Sequence, residues 1–199
     1  MTITNGYCTL TQLKAVLRVT DTVDDVLFES RIDEASRVID DYCNRRFYAD
    51  TAASSRIFIA NETTTVFVDD ISTTTGLVVK TDSAGDGTYA TTLGATDFQV
   101  EPLNAISRAV PITKISVTAT AMFPTSTAPA GVQVTAKWGW PAVPTPIQSA
   151  CVILAGRLVK RGDSLLGVAG FGDLGAITVR SIDPDVQRML APYRLLVVA

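Results

Sequence analysis

The sequence predicts an α+β fold. A discontinuous helical core, two N-terminal helices plus a third far downstream, is interrupted by a β-sandwich or barrel-like insertion and followed by a C-terminal arm. Three observations predict it. Apolar residues recur every three or four positions up to about Arg46 and again after Pro146. The stretch from Ala52 to Trp140 is built of short β-branched runs. Beyond Leu158 the periodicity collapses into a glycine-rich segment. The predicted division is residues 1–51 for the N-terminal helices, 52–140 for the insertion, 141–163 for the third core helix and 164–199 for the arm. At 199 residues the chain is long enough for one domain, or one domain carrying a large insertion, with a sizeable core.

Thr9 and Gln12 form a capping-box signature at the head of TQLKAVLRV, where Leu13, Val16 and Leu17 share a face. Asp21 and Thr22 break that pattern and offer caps to a longer helix from about Val23 to Arg46. Its Phe28, Ile32, Ala35, Ile39 and Tyr42 step by three and four into one buried stripe. Asp24, Asp25 and Glu29 at its start and Arg45 and Arg46 at its end complement the helix macrodipole.

In the insertion, the runs RIFIA, TTVFVDD, GLVVKTD, GTYATTL, DFQVEP, ITKISVTA and VQVTAKWGW predict six or seven short antiparallel strands. Asp86-Gly87 marks a hairpin turn between the third and fourth runs. Trp138 and Trp140 fall on one face of the last run and are expected in the core or over the sheet–helix junction.

The proline-rich step from Trp140 to Pro146 ends the sheet. Thr145 is the expected N-cap, Pro146 the first helical residue and Gly162 the stop. Ile147, Ala150, Cys151, Leu154 and Leu158 give this helix an apolar face for the long N-terminal helix, and Lys160 and Arg161 sit at its negative end. The arm then runs through Gly167, Gly170, Gly172 and Gly175, a strand ITVR, and a helical turn capped by Asp183 and started by Pro184.

Composition narrows the function. A net charge of −3 and a pI near 4.9 argue against a protein whose main task is gripping phosphates. The chain has no histidine, which removes the commonest general base and metal ligand. Cys8, Cys43 and Cys151 lie far apart and read as reduced, buried thiols, neither a disulfide framework nor a zinc site. No signal peptide and no membrane-length apolar run are visible, so the expectation is a soluble protein made in a cytoplasm.

Several residues invite sharper readings. The glycine loop GVAGFGDLG lacks the GK[ST] ending of a phosphate-binding loop and follows a helix, so a linker is the better reading. Asp40-Asp41, Asp69-Asp70 and the Asp183/Asp185 pair are not convergent carboxylate sites, since neighbours on a strand or helix diverge. The run from Asp82 to Gly87 only faintly echoes a calcium loop. Cys151 is a small hydrophobe with no histidine to activate it. The prediction is therefore no enzyme, no cofactor and no metal.

The order of these parts resembles the head-to-tail adaptor (connector) proteins of long-tailed bacteriophages. The resemblance spans nearly the whole chain and is carried most strongly by GWPAVPTPIQSACVILAGRLVKRGDSLLGVAGFGDLGAITV and IDPDVQRMLAPYR in the second half. It implies a virion structural protein at the head–tail interface, assembled in the host cytoplasm, forming a dodecameric ring beneath the portal. The implied partners are the portal protein, the next neck protein on the stopper or tail-terminator side, and further copies of the chain. DNA would pass through the channel without sequence-specific binding, and no membrane is involved. The expected portal or inter-subunit contacts are Leu166, Val168, Phe171, Leu174, Ile177, Val179, Arg180, Met189, Leu190, Tyr193 and Arg194. Arg157, Lys160, Arg161, Arg180 and Arg188 are expected to meet the acidic first helices of a neighbouring subunit, and ITVR to add a strand to a neighbouring sheet edge. Two alternatives stand beside this: another neck or tail-completion protein, or a binding module in which the β domain takes a surface ligand.

Overall fold

The computed structural model describes residues 3–60, 62–118, 121–125, 130–163, 168–169, 177–178 and 183–195. The fold is α+β and divides into two compact units, residues 1–46 with 143–199 and residues 47–142.

The first unit is helical. α1 (Leu10–Leu17) opens with the predicted capping box: the Thr9 hydroxyl accepts the Gln12 N–H and the Gln12 side chain accepts the Thr9 N–H. Only Leu13 of its apolar face is buried. Val16 is 62% exposed, so the expected three-residue face is corrected to a single buried row, with Leu17 half-buried. α2 (Asp25–Cys43) is shorter at both ends than its periodicity predicts. Asp21 closes a turn by accepting the Val23 N–H at 3.1 Å, which leaves Asp24 as the N-cap in place of the expected Asp21 or Thr22. Lys14 Nζ ties the two helices by bonding the Asp21 carbonyl and the Asp25 carboxylate. Asn44, with φ 52°, terminates α2, so Arg45 and Arg46 lie beyond it.

Phe28, Ile32, Ala35 and Ile39 form the predicted stripe on α2, continued by Cys43 and not by the half-buried Tyr42. α3 (Thr145–Asp163) packs along that stripe with Ile147, Ala150, Cys151, Leu154, Ala155 and Val159. Each such side chain, fully buried, is worth about 1.5–3 kcal/mol for the larger aliphatics. α3 starts one residue early: the Pro144 carbonyl accepts the Gln148 N–H at 3.0 Å, so Thr145 is inside the helix and Pro146 is its second residue. Gly162 is helical and does not stop it.

Past α3, β8 (Val168–Ala169) pairs antiparallel with β9 (Ile177–Thr178). The ITVR strand therefore has a partner within its own chain over its first two residues. α4 (Pro184–Leu190) begins as predicted, with the Asp183 side chain accepting the Asp185 N–H at 3.0 Å and proline in the first turn. A 3-10 turn, Ala191–Tyr193, follows.

The second unit is a two-sheet β structure. β1 (Ser54–Phe58), β7 (Val132–Ala136), β3 (Val78–Thr81) and β4 (Thr91–Thr92) form one antiparallel sheet in that order; β2 (Thr65–Ile71), β6 (Ile112–Val117) and β5 (Phe98–Glu101) form the other. Both contribute to one core, including Val66, Ile71, Val79, Ile112, Ile115, Val132, Val134 and Trp138. The predicted hairpin between β3 and β4 is present, but its connection folds around a carboxylate: Asp82 accepts the N–H groups of Ala84, Gly85 and Gly87 at 2.8–3.1 Å.

Trp138 and Trp140 are buried, as the core reading expects, yet they do not share a strand face. β7 ends before them, and Gly139 between them has φ 110°. A Cβ at Gly139 would fall inside the Tyr48 carbonyl, so only glycine fits. The Trp138 indole N–H donates to the Ser54 carbonyl and the Trp140 indole N–H to Asp70, at 2.9 and 3.0 Å. Phe47 packs on Trp140 with ring centroids 5.2 Å apart, and the Asp50 N–H reaches the Trp138 carbonyl at 2.7 Å. The two ends of the insertion thus meet.

Candidate interface

The arm predicted to reach a partner is, over its described end, spent on the chain's own helices. Val186 and Leu190 of α4 are buried, Met189 and Tyr193 half-buried and Arg194 exposed. Leu190, at 1% exposure, is buried within the subunit. The Leu195 N–H donates to the Cys43 carbonyl at 2.9 Å, Asn44 Nδ2 to the Leu195 carbonyl at 3.1 Å, and the Arg194 guanidinium lies 5.6 Å from the Tyr42 ring centre. Of the other expected contacts, Val168 and Ile177 lie in the β8–β9 pair. Leu166, Phe171, Leu174, Val179 and Arg180 lie outside the described residues.

The expected inter-subunit cations divide. Arg157 pairs with Asp183 at 2.5 Å and Arg188 with Asp185 at 3.5 Å, both within the chain. Lys160 and Arg161 are exposed at the end of α3.

What faces outward instead is apolar. Val16, Val23, Val26 and Leu27 are exposed at α1 and at the start of α2, with Val23 at 84%. Beside Val16, an open groove of about 460 Å³ between α1 and α3 is lined by Gln12, Ala15, Gln148, Ser149, Val152 and Ile153 among others, with no charged side chain. The β unit exposes Ile57, Ile59 and Phe67 near its edge strands β1 and β2, and Leu103, Ile106 and Met122 on its loops. Periodicity places Val16 on one face with Leu13, yet it lies at the surface.

The carboxylates singled out by sequence are structural. Asp69 pairs with Arg56 at 2.6 Å, and Asp70 accepts from Trp140. Asp40 accepts from the Tyr7 hydroxyl and pairs with Arg37 at 3.3 Å. Burial raises the Asp40 pKa despite that hydroxyl and Arg37. Glu101 is held below the usual carboxylate range by Lys114, 2.7 Å away, and by the Ser116 hydroxyl. At Asp82 burial opposes ionisation, but the amides of Gly87, Gly85, Ala84 and Asp86 outweigh it and lower the pKa. Among the described residues no group of His, Cys, Asp and Glu is arranged to hold a metal, and no helix is long and apolar enough to cross a membrane.

Residues 7–75 match the family described as phage gp6-like head-tail connector protein. That match lies on α1, α2 and the first two strands, not on the second-half motifs that carry the resemblance. No curated protein matches the chain. Three solved structures share its fold over its full length. A chain from the neck of an empty gene transfer agent particle, computed with C6 symmetry, has 16% identity, a TM-score of 0.56 and 95% of its own length covered. One from the neck of the native particle, computed with C12 symmetry, has 13% identity, a TM-score of 0.56 and 94% covered. A third, from the virion of the native particle, has 15% identity, a TM-score of 0.54 and 95% covered. The family match is confined to residues 7–75, and the solved structures, all under 25% identical, share the α+β fold.

Proposed function

We propose that this protein is a structural head-to-tail adaptor that assembles as a ring beneath the portal of a tailed phage-like particle. The ring bridges the portal to the next neck protein and lines the channel through which DNA passes. The family match at residues 7–75 carries the reading. The full-length fold likeness to chains from gene transfer agent particles supports it. Exposed apolar residues on both units give a ring subunit surfaces to bury against neighbours. The net charge of −3 suits a channel wall along which DNA slides without sticking.

Deleting the gene from the particle's genome tests the role. The expected outcome is DNA-filled or leaking heads and separate tails in electron micrographs, restored to joined particles by the protein supplied in trans. Normal tailed particles from the deletion would overturn the proposal.

A further inference from the structure

The segment ahead of α1 lies along α2 as a strap fastened on either side of Asn5-Gly6. The Thr4 N–H donates to Asp33 at 3.3 Å and the Tyr7 N–H to the Ser36 hydroxyl at 3.0 Å, so two strap amides meet residues one helical turn apart. Asn5 is exposed and holds a left-handed φ of 55°. Gly6 is pressed against Ile3 and Ile32, and a Cβ there would come within 3.0 Å of the Ile32 side chain. The main-chain carbonyl of Asn5 accepts a hydrogen bond from the Arg37 guanidinium at 3.0 Å. Arg37 is itself placed by Asp40, 3.3 Å away, and by the Tyr7 ring, whose centre lies 5.7 Å from the guanidinium carbon.

We propose that Asn5 is a site of spontaneous deamidation, promoted by Arg37, and that its isoaspartyl product unlatches the strap from α2. The carbonyl held by Arg37 belongs to the same amide as the Gly6 nitrogen. A cation bonded to that oxygen stabilises the negative charge the amide acquires when hydroxide takes the Gly6 N–H proton. Glycine leaves the nitrogen with no side chain beside it. The nitrogen attacks the Asn5 side-chain carbonyl carbon and closes a succinimide. The bond from that carbon to the side-chain nitrogen breaks, and ammonia leaves with a proton drawn from water. Water then opens the ring at either carbonyl, giving aspartate or isoaspartate. The net change consumes one water, releases one ammonia and involves no redox step. The other asparagines, Asn44, Asn61 and Asn104, precede Arg45, Glu62 and Ala105, whose side chains crowd the attacking nitrogen. In isoaspartate the main chain runs through the former side chain. It gains one carbon between Thr4 and Tyr7, and the carbonyl that Arg37 held becomes a carboxylate. The strap then no longer matches both Asp33 and Ser36, and the tight packing of Gly6 leaves no room to absorb the extra atom.

Full-length folded protein is aged in mildly alkaline buffer, and peptide mass spectrometry with electron-transfer fragmentation follows each asparagine and separates aspartate from isoaspartate. The expected result is conversion of Asn5 ahead of Asn44, Asn61 and Asn104, with loss of hydrogen-exchange protection at the Tyr7 amide in the isoaspartyl chains. Asn5→Gln, which would have to close a larger ring, suppresses the conversion and keeps the protection. Arg37→Gln slows conversion in the folded protein and leaves it unchanged in urea-unfolded chains. Earlier conversion of another asparagine, an undiminished rate in folded Arg37→Gln, or full Tyr7 protection in isoaspartyl chains would overturn the inference.

Discussion

The two units solve the problem of holding a fold together in opposite ways. The helical unit is discontinuous: α2 and α3 come from either side of the insertion, and α4 with its following turn docks onto both. Among the described residues its buried polar side chain is Ser36, which lies against the Cys151 sulfur and bonds the Ile32 carbonyl. The β unit is one continuous stretch whose apolar cluster is accompanied by buried Ser72, Thr81 and Asp82, and whose exacting positions are turns, Asp82 and Gly139. Its ends are pinned together by Phe47 on Trp140 and by the bond from Asp50 to Trp138. An insertion whose ends meet interrupts a helical core at little cost, since the helices on either side are not pulled apart. In this chain the helical unit depends on contacts between distant segments and the β unit on closing its own ends.

The largest effect is expected at that closure. Gly139→Ala places a methyl in the Tyr48 carbonyl at a left-handed backbone angle and should cost about 4 kcal/mol or more. Hydrogen exchange should show the loss across residues 47–142; unchanged protection there would break the idea that the ends hold the unit. Ile32→Ala removes a fully buried side chain from the α2–α3 seam and should cost about 2–5 kcal/mol in urea denaturation. Ser36→Ala strips the acceptor from the Tyr7 N–H and should cost about 1–3 kcal/mol, read as faster exchange at residues 4–8.

Acidification separates the units by sign. The Asp82 and Glu101 pKa values are depressed, so their contribution to the β unit is present above their unfolded values near 4 and is lost as pH falls below them. Asp40 in the helical unit is raised, so its contribution is present below the unfolded value and is lost as pH rises through the folded one. Exchange measured from pH 6 to pH 3 should show protection falling around Asp82 and Glu101 first. Asp40→Asn should flatten the helical unit's opposing trend.

Much of this was legible in the sequence because helices and strands announce themselves by period. The Thr9–Gln12 box, the α2 stripe, the seven strands and the Asp183–Pro184 start all follow from local chemistry. What was not legible depends on partners distant along the chain. Periodicity gives Val16 an inward place, but α1 is two turns long and buries only the row at Leu13. The burial of Leu190 within the subunit shows only once α4 is set against α2 and α3. The Trp138–Trp140 alternation implies a strand because nothing local reveals that Gly139 takes a positive φ beneath Tyr48.

The smallest effect on the monomer is expected at the exposed apolar face. Val23→Ser, at a side chain 84% exposed, should change stability by no more than about 0.5 kcal/mol. It should still weaken self-association if that face is covered in a ring, which analytical ultracentrifugation against the wild type would read.

Native mass spectrometry of the protein mixed with the portal ring from the same genome tests the adaptor claim most directly. The prediction is a portal complex that gains one fixed, symmetric number of copies, with Val23→Ser reducing occupancy. A monomer that ignores a correctly assembled portal ring would contradict it.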